Sequence, residues 1–286
     1  MTALEVLDPG LLTLVEDLGR PGWAHVGVGR AGAADAAALR LANRLVANDE
    51  GAAGLEVLLG GLRVRAVGDV TVAIAGAPGP AWLDDRPVGR AAVLEIRSGT
   101  VLRLGPVTSG LRAYVAVRGG IDVPAVLGSR STDQLAGVGP EPVRTGDVLA
   151  VGPAPRSWPV VDLAPLREPP SRVELPVVAG PHADWFEDVL AGLRAGEWHV
   201  TPATNRVAVR LTGPALTRTA AATGRELPSE GLVPGAVQVP PDGQPVVFGV
   251  DHPVTGGYPV VAVLRRYAHG RLAQVRPGDR VSFVRG

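Results

Sequence analysis

The sequence predicts a mainly β chain, built as two barrel-like units in tandem with two or so short helices. Three observations carry this reading. Short or alternating apolar runs recur along all 286 residues, punctuated by Gly, Pro and Asp. Gly (38) and Pro (27) are abundant, which suits many turns and short elements. Aromatic residues are 4% of a chain that is 46% hydrophobic, so Val, Leu and Ala must fill the core.

In order along the chain, the runs 11–15, 70–75, 92–96, 101–104, 113–117 and 148–151 read as strands. The runs 207–211, 236–239, 246–250, 260–264 and 281–284 repeat the pattern. Between two of them Pro241-Asp242-Gly243 is a hairpin turn, because Pro presets φ and Gly accepts φ > 0. Helices are predicted over 34–47, with Asp35 in the first turn at the positive end, and over 182–193, opened by Pro181. Gly146-Asp147-Val148 and Gly278-Asp279-Arg280-Val281 echo each other, with Ser98-Gly99-Thr100-Val101 as a looser copy; each is expected to feed a strand. The stretch 158–171 holds Pro159, Pro165, Pro169 and Pro170 and reads as a linker between units 1–157 and 172–286. Chain exchange between the units is compatible with the pattern. Closing each unit into a barrel would remove exposed sheet edges.

Composition excludes several chemistries. The 28 basic and 28 acidic residues cancel, so neither a nucleic-acid footprint nor a lipid-surface charge is present. All basic residues are Arg. Without Lys there is no Schiff base and no P-loop lysine, and anions must be gripped by Arg forks or backbone N–H groups. Without Cys there is no disulfide and no thiol nucleophile. The five His lack metal-ligand spacing, so no metal site is expected. The N-terminal residues do not read as a leader or a membrane span, and a cytoplasmic location is expected.

Four segments carry more special residues than a barrel needs. Glu16-Asp17-Leu18-Gly19-Arg20-Pro21-Gly22, followed by Gly27, Gly29 and Gly32, is either an anion cradle before a helix or a tight packing loop. Arg118-Gly119-Gly120-Ile121-Asp122-Val123-Pro124 leads to Ser129-Arg130-Ser131-Thr132. There Arg130 either forks onto a carboxylate or phosphate or sits in a structural ion pair. In Ser229-Glu230-Gly231 through Pro240, Glu230 is a candidate general base, and Gln238 either lines a barrel mouth or faces solvent. Thr255-Gly256-Gly257-Tyr258 is a donor-rich loop, or a plain hairpin. Asp251 and His252 are adjacent, so on a strand they face opposite ways and form no direct dyad.

Together the segments resemble the family variously called allophanate hydrolase subunit 2, carboxyltransferase subdomains A and B, or the C-type subunit of 5-oxoprolinase. The residues that carry the resemblance are Val15-Glu16-Asp17-Leu18-Gly19-Arg20-Pro21-Gly22; Gly32-Ala33-Ala34-Asp35 with Ala42-Asn43 and Asn48; and Leu55-Glu56. Arg118 to Thr132, Ser229 to Pro240 and Thr255-Gly256-Gly257-Tyr258-Pro259 continue it. Two positions depart: Thr204-Asn205-Arg206 stands for a usual Ser-Asp-Arg, and Ala31 for a usual Ser.

The resemblance implies cyclophilin-like barrels and a B-type (KipI-like) partner, with an A-type partner beside it. It also implies ATP-dependent opening of 5-oxoproline to glutamate, with ATP and Mg held at the level of the complex. An alternative is transfer of a carboxyl group from carboxybiotin to urea or another small amide. A third reading is a regulatory, KipA-like protein that binds a kinase-inhibitor partner. Under the first reading, Glu230 or Asp122 handles protons and Arg130 stabilises charge. Arg20, Arg118, Gly119, Gly120, Ser129, Ser131, Thr132, Gln238, Thr255, Gly256, Gly257 and Tyr258 bind the small amide. Arg20, Arg130, Glu230 and Tyr258 are then expected to share one cleft.

Overall fold

A computed structural model describes residues 2–165 and 172–286. The chain divides into two compact units, Met1–Arg20 with Ala31–Pro169, and Pro21–Arg30 with Pro170–Gly286. The loop Pro21–Arg30 therefore belongs with residues far from it in sequence.

The first unit holds two antiparallel sheets. The six-stranded sheet runs in the order Val148–Ala150, Ala3–Asp8, Arg63–Val67, Val101–Leu104, Ala81–Leu83, Arg86–Val88. The five-stranded sheet runs Leu12–Glu16, Gly54–Leu58, Arg112–Val117, Val70–Gly76, Val93–Ile96. One core fills the space between them, with Leu4, Val64 and Leu102 from the first sheet meeting Val57, Ile74 and Val115 from the second. The two sheets share this core, whereas hydrogen-bonded closure into a barrel occurs in the second unit.

The outer face of the five-stranded sheet is covered as well. Helix Ala36–Leu45 packs Leu39, Ala42 and Leu45 against Ala73, Ala75, Tyr114 and Ala116. Strand Arg112–Val117 is buried at every position, because both its faces are covered. Asp35 caps this helix and does not lie in its first turn: its side chain accepts the Ala38 N–H at 3.1 Å, satisfying one of the free first-turn donors.

The approach to the helix is pinned by a buried polar network. Glu56 accepts the Ala34 N–H at 2.9 Å and the Tyr114 hydroxyl at 2.8 Å, and lies 3.2 Å from Arg112 Nε. The Asp35 N–H donates to Tyr114 Oη at 2.7 Å. Burial, then the Glu56 and Asp35 carboxylates, hold the Tyr114 phenol well above its ordinary pKa.

The second unit is a closed barrel of seven strands, in the order Val173–Ala179, Val260–Leu264, Ala236–Gln238, Val246–Phe248, Ala208–Thr212, Trp198–Val200, Arg280–Arg285. The last strand closes the barrel by pairing in parallel with the first. Trp198, Phe283, Leu175 and Val261 fill the interior. The helix expected over 182–193 is split into a 3-10 turn, Ala183–Trp185, and a helix, Val189–Ala195. Asp188 divides them: at φ 35° it leaves the right-handed helix region, and its carboxylate accepts the Ala191 N–H at 3.3 Å. A third short helix, His269–Ala273, lacks any amphipathic run long enough to announce it.

The echoed turns share one backbone geometry. Gly146, Gly278 and Gly99 sit at φ 91°, 90° and 89°, each just ahead of a strand. In the two closer copies, Asp147 accepts the Arg144 N–H at 2.7 Å and Asp279 the Arg276 N–H at 2.8 Å. Part of the expected linker behaves otherwise than predicted. The Val93 N–H donates to the Asp162 carbonyl at 2.9 Å, and the Ala164 N–H to the Ala91 carbonyl at 2.8 Å. Val93–Ile96 is a sheet-edge strand, and its open backbone groups draw in residues 162–164. Residues 166–171 of that stretch lie outside the described residues. No helix among the described residues is long and apolar enough to cross a membrane.

Candidate functional site

In the first unit the sequence-predicted residues gather around Asp17, which sequence reasoning did not single out. One carboxylate oxygen of Asp17 accepts from the Gly19 N–H at 2.7 Å and from the hydroxyls of Ser129 and Ser131, both at 2.6 Å. The other accepts the Arg130 N–H at 2.7 Å. Ser129, Ser131 and Thr132 are buried, and Thr132 donates its N–H to the Val15 carbonyl at 3.0 Å. A hydroxyl that already donates to a carboxylate is committed to organising its loop. Arg20, 1% exposed, lies beneath the same loop, donating to the Ser131 carbonyl and, at 3.4 Å, to that of Val126.

The Arg-Gly-Gly turn is occupied in the same way. Arg118 donates to the carbonyls of Val46, Pro155 and Ser157, and its guanidinium lies 4.5 Å from the Trp158 ring centre. The Gly119 N–H goes to Asn48 Oδ1 at 2.8 Å, and the Gly120 N–H to the Val117 carbonyl at 2.8 Å. Gly119 has φ 104°, and an added Cβ would collide with the Gly152 carbonyl, so this position demands glycine. Arg130 faces outward. Its Nη2 lies 3.1 Å from Asp122 Oδ1 and its Nε donates to the Val123 carbonyl at 2.8 Å; the two charged side chains are 42% and 53% exposed.

In the second unit Glu230 and the Thr-Gly-Gly-Tyr loop are brought together. Glu230 pairs with Gly256 and Gly231 with Thr255 in a short antiparallel ribbon. Gln238 is buried, and its Nε2 donates to the Tyr258 carbonyl at 2.8 Å, so it braces this loop and does not face solvent. Gly256 is packed so closely that a Cβ would come within 2.9 Å of Gln238 Nε2.

Two features escaped sequence reasoning. His182 Nε2 lies 3.5 Å from Glu230 Oε2. His182 Nδ1 accepts the Val260 N–H at 3.2 Å, which leaves the ring proton on Nε2, toward the carboxylate. The second feature is a cavity of about 720 Å³, lined among others by Gly257, Tyr258, Arg218, Arg225 and Glu226. Trp185 joins the two features. Its ring meets His182 edge-on at 5.5 Å between centres, while Arg225 lies over it at 4.4 Å and Arg218 at 5.7 Å. The sequence signal for the arginines was the absence of Lys, which leaves an anion grip to Arg or to backbone N–H groups.

Of the four residues expected to share a cleft, Arg20 and Arg130 belong to the first unit and Glu230 and Tyr258 to the second. The carboxylate absent at Asn205 is supplied to Arg206 from elsewhere. Asp251 meets Arg206 in a buried two-point contact, at 2.7 Å to Nε and 3.0 Å to Nη2. Asn205 instead caps its own turn, accepting the N–H groups of Val207 and Ala208. Among the described residues, no three His, Asp or Glu stand close enough to hold a metal ion.

Known proteins are similar to this chain in sequence and in fold. The family model described as carboxyltransferase domain, subdomain A and B, matches residues 26–285. The chain is 38% identical to the C-type subunit of 5-oxoprolinase from Escherichia coli, over 98% of this chain and 90% of that one. Among solved structures, that of TTHA0988 superposes with a TM-score of 0.90 and 36% identity, covering 99% of this chain and 56% of that one. The urea amidolyase of Kluyveromyces lactis superposes with a TM-score of 0.91 and 32% identity, covering 99% of this chain but 18% of that much longer one.

Proposed function

Because this chain belongs to the carboxyltransferase domain, subdomain A and B, family, we propose that it is one subunit of an ATP-dependent 5-oxoprolinase-type complex. It works with a B-type (KipI-like) partner and an A-type partner to open 5-oxoproline to L-glutamate. One observation carries this reading: 38% identity that runs along 98% of this chain and 90% of a 5-oxoprolinase subunit of the C type.

The chemistry sets what such a subunit must do. A lactam is resonance-stabilised, so breaking its C–N bond needs activation, which ATP supplies. The balanced reaction takes 5-oxoproline, ATP and two waters to glutamate, ADP, phosphate and a proton. This chain has no Lys, and its described residues hold no cluster of potential Mg ligands. ATP and Mg are placed at the level of the complex, since a phosphate-bound Mg needs only one or two protein carboxylates.

What this chain contributes is positioning and proton handling. In the second unit, Glu230 is 51% exposed and its carboxylate lies 3.5 Å from His182 Nε2. The carboxylate accepts a proton from an attacking water, and the imidazole beside it steadies the charge. In the first unit, Arg130 with Asp122 is the outward-facing charged pair, and stays a candidate for contacting developing negative charge. Ser129, Ser131, Arg118, Gly119 and Gly120 are read as holding their loops in place.

The test is co-expression with the A-type and B-type partners, followed by an assay of ATP-dependent glutamate release. Absence of release from a stable, assembled complex would sink the reading. The likeness to urea amidolyase supports a second one, carboxyl transfer from carboxybiotin on a separate carrier to urea. Urea-dependent consumption of carboxybiotin by the same preparation, without glutamate release, would decide for it.

A further inference from the structure

We infer that the cavity of the second unit selects an anionic lactam over neutral amides, with Arg218 and Arg225 reading the carboxylate. This rests on the 5-oxoprolinase reading and names the residues that set its specificity.

The two guanidinium groups are held against one aromatic platform. Arg225 lies 4.4 Å from the Trp185 ring centre; Arg218 lies 5.7 Å from it and 5.8 Å from that of Phe186. These cation–π contacts hold the two guanidiniums beside the rings. Arg218 Nη1 donates to the Arg225 carbonyl at 3.0 Å, which ties the two residues together. Its Nε is buried and has no hydrogen-bond partner. Among the described residues neither arginine is in an ion pair. Glu226 lines the same cavity but pairs with neither arginine; the two guanidiniums held together there repel each other, and a bound anion relieves that cost.

Part of the wall is of opposite character. Leu216, Leu227, Pro240 and Pro241 present apolar surface to the same space. Urea is neutral, has no methylene groups, and would use neither the arginines nor this wall. A five-membered lactam bearing a carboxylate uses both: its ring carbons lie on the apolar side and its charge meets the forks.

The experiment uses the reconstituted complex, with 5-oxoproline as substrate and 2-pyrrolidinone, the same ring without the carboxylate, as competitor. The inhibition constant of 2-pyrrolidinone is expected about 10- to 100-fold above the KM for 5-oxoproline, the factor for losing a charged hydrogen-bonded contact. Arg225→Gln removes an exposed side chain and should leave the fold intact. It is expected to raise KM for 5-oxoproline by a similar factor with kcat within about twofold, since ground and transition states lose the same contact. Inhibition by 2-pyrrolidinone should not change. Arg218→Lys, which keeps the charge but loses the fork, should show a smaller rise in KM.

An unchanged KM in both variants, in a complex that still releases glutamate, overturns this inference and leaves the function standing. A wild-type complex that releases no glutamate defeats the function instead. Calorimetric titration of this chain with 5-oxoproline then still judges the pocket: binding weakened by Arg225→Gln upholds it, and undiminished binding rejects it.

Discussion

Asp17→Asn is predicted to destabilise the first unit by about 2–4 kcal/mol, and the figure follows from its contacts. One oxygen of Asp17 takes three donors, Gly19 N–H, Ser129 Oγ and Ser131 Oγ; the other takes the Arg130 N–H. Asparagine replaces one of these oxygens with an NH2 group. Placed toward Arg130, that group sets donor against donor at a former distance of 2.7 Å. Placed the other way, it faces the Gly19 N–H and forces both serine hydroxyls to turn. Either way at least one charge-assisted bond, worth about 1.5–3 kcal/mol, is lost and a backbone N–H is orphaned. Asp17 is only half-buried, so water recovers part of that cost. At about 2–4 °C per kcal/mol for a unit of this size, the melting temperature should fall by about 4–16 °C. Guanidinium unfolding with calorimetry measures it, with Ser129→Ala as control at about 0.5–1.5 kcal/mol. A loss below about 0.5 kcal/mol for Asp17→Asn, or a control as costly as the variant, would refute the claim that this carboxylate organises the loop.

Asp251→Asn strips the charge from a pair whose side chains are 4% and 0% exposed, leaving Arg206 buried beside a neutral amide. The expected cost is about 3–5 kcal/mol by denaturant unfolding, and Arg206→Met with Asp251→Leu should cost less than the single change. His269 is held below its ordinary pKa by burial, aided by the Arg266 and Arg30 charges. The unfolded chain therefore takes up that proton first: His269 contributes fully above about pH 6.5, and its contribution is lost as pH falls through the lowered value. His269→Gln should flatten this part of the acid limb in a pH series of melting temperatures. Arg130→Ala breaks a half-exposed pair and should change stability by less than about 1 kcal/mol. A drop in kcat/KM of the complex of about tenfold or more would then be chemical in origin, and unchanged turnover would remove Arg130 from the site.

Strands with plain alternation or unbroken apolar runs were legible: 101–104 and 260–264 coincide with the observed strands Val101–Leu104 and Val260–Leu264. Not all of them were read: Ala3–Asp8 and Arg63–Val67 escaped although their runs alternate, while other missed strands contain residues which argue locally against one. Gly54–Leu58 carries Glu56, whose charge is acceptable only because Arg112, Tyr114 and the Ala34 N–H surround it. Val173–Ala179 carries Pro176, a residue that normally demotes a strand, yet its carbonyl still accepts the Arg265 N–H at 2.8 Å. Each of these is settled by a partner distant in sequence, which a local pattern does not contain. The Pro241-Asp242-Gly243 turn was legible because its signal is local: Gly243 sits at φ 74°, as a turn glycine must.

The candidate site divides along the same line. Residues marked by dense motifs in the first unit, Asp17, Ser129, Ser131, Arg118 and Gly119, spend their polar groups on one another and on backbone. A glycine-rich, hydroxyl-rich motif announces that a loop has one permitted shape, which is a different matter from what the loop touches. Chemically open groups lie where the pattern was bland. Arg218 and Arg225 sit in a segment without periodicity, and His182 was one of five scattered histidines until the barrel set it beside Glu230. Substitutions in the two sets should therefore separate by phenotype. Changes at the Asp17 loop should appear as lost stability, with turnover falling only as folded protein is lost. Changes at Arg225 or Glu230 should leave the melting temperature unmoved and appear in KM or kcat.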